Sequence, residues 1–160
     1  MYKLRDKEKI FRKKTGLVLD PYFSGTKICW LLKNQTRGKE LLKEKRLKVG
    51  TIDSFLISKL SAGQSHVTDV SNASRTLLMN LKTLDWDLEL LKILKVPREI
   101  LPSIVDSSGV VAKTQNLKAL PDGIEISGVA GDQQAALFGQ TCYSPGEAKC
   151  TFGTGSFLLM

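Results

Sequence analysis

Gly131-Asp132-Gln133-Gln134 sets a carboxylate and two amides between the run "ISGVA" and the apolar "AALFG". A carboxylate where a strand ends and a helix begins faces the crevice in which α/β proteins bind ligands. The helix dipole and its first N–H groups favour the ionised form there. An ionised carboxylate can orient a hydroxyl and accept its proton as the oxygen attacks. Gln133 offers both a donor and an acceptor to a neighbouring hydroxyl. Asp132 is therefore a candidate general base and Gln133 a candidate substrate contact. Asp is also among the best N-caps, so a purely capping role for Asp132 stands beside the catalytic one.

A second stretch, "FGTGSF" (152–157), can handle anions. Gly153 and Gly155 permit a backbone that points successive N–H groups into one concavity, and Thr154 adds a hydroxyl between them. A nucleotide phosphate fits such a nest, and an ordinary hairpin turn fits the same residues. Tyr22, in "DPYFSG", can reach a ligand through its hydroxyl or simply occupy a half-buried loop position. His66, the single histidine, reads as structural, and Asp69, Asn72 and Arg75 read as a turn knit by local hydrogen bonds.

These residues need elements to hold them. Residues 3–14 read as a charged helix stopped by Gly16, and 19–25 as a loop in which Pro21 holds Asp20 extended. Ser24 is expected to cap a helix running to about Asn34, with Ile28, Leu31 and Leu32 on one side. A charged helix follows around 39–46. In "VGTIDSFLISKLSAG", Asp53 is the expected N-cap, Phe55, Leu56 and Leu60 the apolar stripe, and Gly63 the stop. Asp85 is expected to cap "WDLELLKIL", and Pro97 to open a short helical turn. Strands are expected at 109–114, 124–130, 148–152 and 156–160, with "DQQAALFG" a helix between the second and third. The chain begins inside a helical pattern and stops on an apolar strand, an open edge that invites association. It therefore reads as a piece of a longer protein.

Bulk properties narrow the function classes. With 160 residues, 42% hydrophobic and 25% charged, the chain can bury a core and is not disordered. No run approaches the roughly 20 apolar residues of a membrane span. "MYKLRDKEKIFRKKTG" has no apolar segment of the kind secretory signals carry. Cys29, Cys142 and Cys150 form no CxxC pair and are odd in number, which favours reduced thiols and a cytoplasmic setting. With one histidine and no His/Cys cluster, a zinc site is not expected. The formal charge of +8 is concentrated in residues 1–48, which hold 15 Lys/Arg against 5 Asp/Glu. That segment reads as a solvated lysine-rich surface, with nucleic-acid binding as the alternative.

Taken together, "TGLVLDPYFSGTKICWLLKN", "GTIDSFLISKL", "HVTDVSNASRTLLMNLKTLDWD", "GVAGDQQAALFGQ" and "TFGTGSFLLM" resemble the glycerol kinases of the sugar-kinase family, in order and at close spacing. The resemblance implies an α/β fold: an incomplete ribonuclease-H-like (actin-like ATPase) domain, helix-rich in its first half, with strands and one helix in its second. Residues 1–145 would be the C-terminal part of the first, substrate-side domain. Residues 146–160 would be the first hairpin of the second, nucleotide-side domain. The implied reaction is ATP-dependent phosphorylation of glycerol to sn-glycerol 3-phosphate, with Mg2+. By resemblance Asp132 is the catalytic base and a glycerol contact. Tyr22 and Gln133 are hydroxyl contacts, Phe157 packs on the carbon chain, and Gly153, Thr154 and Gly155 form a phosphate-binding hairpin.

The resemblance places the family's first phosphate loop and an Arg-Glu glycerol clamp upstream of Met1, and the adenosine-binding segment downstream of Met160. It thus implies a middle fragment without appreciable turnover by itself, drawn from a homo-oligomeric full-length form. A non-catalytic remnant serving as a binding module is the alternative. Gly123, in "LPDGIEIS", stands near the position of the arginine that ends the sugar-bisphosphate loop of regulated members, which argues against that regulation here.

Overall fold

The computed structural model describes the backbone of residues 2–160 and the side chains of 4–160. It divides into two compact units, residues 1–129 and 130–160.

In the first unit a 3-10 segment, Tyr2–Lys7, leads into α1, Glu8–Thr15. Phe11 is fully buried on α1, and Gly16 ends the helix at φ 71°, donating its N–H to the Arg12 carbonyl. That left-handed conformation is one glycine adopts without strain. α2 spans Ser24–Asn34, α3 Thr36–Lys43 and α4 Ile52–Leu60. Beyond them come β1 (Val67–Asp69), α5 (Val70–Ala73), β2 (Met79–Asn80), β3 (Asp85–Trp86) and α6 (Leu88–Leu94). A short 3-10 turn, Arg98–Ile100, follows Pro97 as expected and precedes β4 (Ser103–Val105), β5 (Ser108–Lys113) and β6 (Glu125–Gly128).

β1 and β4 pair in parallel, Val67 opposite Ser103. A parallel pair needs a long crossover, and α5 and α6 lie within it. β2 and β3 pair antiparallel, as do β5 and β6, the latter with an irregularity between Ser108 and Ala112. The core joins Phe11, Phe23 and Ile28 to Leu77, Leu78, Met79, Trp86, Leu90, Leu94 and Ile100. Trp86 is satisfied inside it by donating Nε1–H to the Pro102 carbonyl at 2.7 Å.

Three expected caps are displaced. Phe23, not Ser24, is the extended residue before α2, and Ser24 is already helical. Thr51, not Asp53, precedes α4. Asp53 instead accepts from the Thr51 and Thr68 hydroxyls at 2.5 and 2.7 Å. Asp87, not Asp85, caps α6, accepting from the N–H groups of Glu89 and Leu90, while Asp85 pairs across to Asn80. The buried face of α4 is Asp53, Ser54 and Ile57, whereas Phe55 and Leu56 are exposed.

The second unit holds α7, Asp132–Gly139, and a hairpin of β7 (Lys149–Phe152) and β8 (Ser156–Leu159). The pairs Lys149–Leu159, Thr151–Phe157 and Phe152–Ser156 set its register and leave Gly153-Thr154-Gly155 as the turn.

Candidate active site

The start of α7 bears directly on the two roles open to Asp132. Gly131 takes the N-cap position in extended conformation (φ −61°, ψ 145°), and Asp132 is the first helical residue. Capping therefore does not account for the carboxylate, although its charge still suits the positive end of the helix. Asp132 is exposed, and one of its oxygens, Oδ2, accepts from Gln133 Nε2 at 3.2 Å. The amide oxygen of Gln133 accepts from the ammonium of Lys149, which also donates to Thr151 Oγ1 at 2.6 Å. Asp132, Gln133, Lys149 and Thr151 thus form one connected polar chain within the second unit.

The hairpin register extends this cluster. Directly opposed residues share a face of a sheet, as do residues two apart along a strand. Lys149, Thr151 and Phe157 therefore line one face of the hairpin, and Cys150, Phe152 and Leu158 the other. Phe157 lies beside the turn, where a Cβ on Gly155 would come within 3.1 Å of its ring. Gly155 thus supplies room for the aromatic ring. The Gly153 N–H closes the turn by donating to the Gly155 carbonyl at 3.0 Å, so it is used inside the hairpin.

Other sequence-predicted residues belong to the first unit. Tyr22 is more exposed than a half-buried loop tyrosine. Its ring stands edge-on to Phe23 with centroids 5.3 Å apart, and its N–H donates to Asp20 Oδ1. Asp69 and Asn72 form the expected turn: Asp69 accepts from the N–H groups and side chains of both Ser71 and Asn72. Ser107 adds a fifth donor from 38 residues away. Arg75 stacks over Phe23 at 5.1 Å. His66 shares a hydrogen bond with the Val49 carbonyl at 3.2 Å. Burial holds its pKa below the usual histidine value, with Lys48 adding to the effect and the Val49 carbonyl opposing it. It borders a largely apolar groove of about 480 Å³ lined by Ile28, Leu31, Leu32 and Phe55.

Lys149 is the residue that sequence reasoning passed over. Its one local signal was the alternation of β7, which points it to the same side as Thr151.

A model of the FGGY family of carbohydrate kinases, N-terminal domain, matches residues 1–139. A glycerol kinase of Bdellovibrio bacteriovorus is 61% identical over 158 residues, covering 99% of this chain and 32% of that protein. A glycerol kinase of Myxococcus xanthus is 54% identical, covering 93% of this chain and 30% of its own length. Among solved structures, Plasmodium falciparum glycerol kinase with ADP superposes with a TM-score of 0.91 at 38% identity, over 98% of this chain and 32% of that one. The chain spans about a third of the length of the relatives it matches.

Proposed function

Because the chain belongs to the FGGY family of carbohydrate kinases, we propose that it contributes the acid–base and polyol-binding part of a kinase that transfers a phosphoryl group from ATP to glycerol. The observation that carries this reading is the placement of Asp132 at the first helical position of α7, uncommitted to capping and joined to Gln133. Phosphoryl transfer asks of a protein mainly alignment and charge stabilisation. An alcohol nucleophile also needs an acceptor for its proton, and Asp132 is that acceptor. In this reading Gln133 contacts a substrate hydroxyl, and Phe157 covers the carbon chain.

ATP is the co-substrate, and the turn Gly153-Thr154-Gly155 meets its phosphates. Because the Gly153 N–H is engaged within the turn, the remaining donors in this reading are the Thr154 hydroxyl and the next amides. Among the described residues no group of three His, Cys, Asp or Glu converges as metal ligands. Mg2+ that accompanies ATP is typically held by one or two carboxylates together with the phosphates rather than by such a group. Among the described residues no helix is long and apolar enough to cross a membrane.

The test is Asp132→Asn in a kinase of the relatives' full length carrying these 160 residues. The carboxamide keeps the shape but cannot take a proton at neutral pH. A kcat lower by about 100- to 10,000-fold is expected, with ATP affinity nearly intact. Near-normal turnover in that variant would remove Asp132 from the role of base.

A further inference from the structure

Lys149, the first residue of β7, is only 6% exposed. Sequestering an ammonium from water is costly unless it is paired and hydrogen-bonded. Among the described residues, however, Lys149 makes no ion pair. Its acceptors are the Gln133 amide oxygen and the Thr151 hydroxyl. Two neutral acceptors are an unusual setting for a buried cation, and one of them belongs to the residue beside the proposed base.

The chemistry of the three groups fixes the direction of the amide. An ammonium only donates, and an ionised carboxylate only accepts. Gln133 lies between Lys149 and Asp132, with Oε1 on the ammonium and Nε2 on Asp132 Oδ2 at 3.2 Å. The flipped amide would set its N–H2 against the ammonium and its oxygen against the carboxylate, losing both bonds and adding repulsion at each end.

We propose that Lys149 is a positioning residue that locks the Gln133 side chain so that Gln133 meets the polyol only as a hydrogen-bond donor. One of its amide protons goes to Asp132, and the other is aimed at an oxygen of the substrate. Gln133 alone could serve a hydroxyl as donor or acceptor. With Lys149 in place the ambiguity is removed, and the hydroxyl it meets must present a lone pair. The inference rests on the reading of Asp132 and Gln133 as the polyol site.

The test compares Lys149→Met, Gln133→Ala and the double variant, in a kinase of the relatives' full length carrying these 160 residues. Because Gln133 contacts ground state and transition state alike, its misorientation acts on KM rather than kcat. Lys149→Met is expected to raise the glycerol KM about tenfold, the effect of one lost hydrogen bond, with kcat and the ATP KM little changed. The double variant is expected to match Gln133→Ala, because the lysine has nothing left to orient. Lys149→Arg, which keeps a donor-only cation, is expected to recover part of the loss. If the Met variant does not fold, Lys149→Leu, which likewise offers no donor, replaces it with the same expectations. The proposal is overturned if Gln133→Ala raises the glycerol KM while the Lys149 variant leaves it unchanged, or if the two effects multiply in the double variant. If Gln133→Ala itself leaves the glycerol KM unchanged, the polyol-site reading fails, and the inference fails with it for that separate reason.

Discussion

Asp69 shows how much a single carboxylate can organise. It is fully buried and has five donors: two N–H groups, the Ser71 and Ser107 hydroxyls, and the Asn72 amide. Burial pushes its pKa up, but the hydrogen bonds from Ser71, Ser107 and Asn72 outweigh that and hold it below the usual carboxylate value. Asp87 behaves alike: burial opposes ionisation, and Lys14, Asn80 and the Leu90 N–H overcome it. A carboxyl whose folded pKa is depressed stabilises the fold fully above its unfolded pKa, and that stabilisation is lost as pH falls through the folded value. Urea midpoints are therefore expected to hold near neutrality, to slip below about pH 6.5 as the unfolded chain protonates His66 more readily than the folded one, and to fall steadily below about pH 4. Asp69→Ala is expected to cost about 3 kcal/mol at pH 7, because it orphans buried donors. The variant should also lose less on acidification than the parent. An identical acid slope in both would assign the pH dependence elsewhere. The sequence showed Asp69 and Asn72 as a local turn. It could not show Ser107, which arrives through the β1–β4 pairing.

At the scale of elements, two glycines in helices make opposite claims. Gly25, in the first turn of α2, donates its N–H to the Thr76 carbonyl at 2.8 Å, and a Cβ there would lie 2.6 Å from that same oxygen. Gly38 lies inside α3 with nothing nearer to such a Cβ than 3.7 Å. Gly25→Ala is expected to destabilise by about 1–3 kcal/mol, since the backbone must separate. Gly38→Ala is expected to stabilise by roughly 0.5–1 kcal/mol through helix propensity. Thermal melts of the two variants check both signs at once, and a rise in Tm for Gly25→Ala would contradict the close approach at Gly25. Helix existence was legible from apolar spacing and stop residues, as Gly16 shows. The start residues were less so. "LDWDLELL" offers two aspartates, and the pairing of Met79 with Trp86 is what puts Asp85 in a strand and leaves Asp87 to cap α6. Asp53 reads locally as a cap, but Thr68, 15 residues on, engages its carboxylate. Lys149 was invisible for the same reason: its partner Gln133 is 16 residues back.

At the scale of the whole molecule, the buried apolar side chains among the described residues all lie between Phe11 and Pro102. Residues 1–129 thus contain a complete hydrophobic cluster of their own. Expressed alone, they are expected to melt cooperatively. The 130–160 segment is expected to be unfolded when excised, because a chain below about 40 residues rarely sustains a core without added constraints. Circular dichroism on the two pieces decides this, and a gradual, non-cooperative loss of signal from 1–129 would count against the division. The α/β architecture was readable from the order of the patterns, helices first and strands later. The brief β1, β2 and β3 were not, because two or three residues are too few for alternation to register.

The pleat of β7 has a practical side. It turns the exposed thiol of Cys150 away from its neighbour Lys149, while Cys29 and Cys142 are only partly accessible. A thiol-reactive fluorophore should therefore attach to Cys150 first. The dye would report optically on the hairpin from its outer side, leaving the ammonium and the amide it orients untouched.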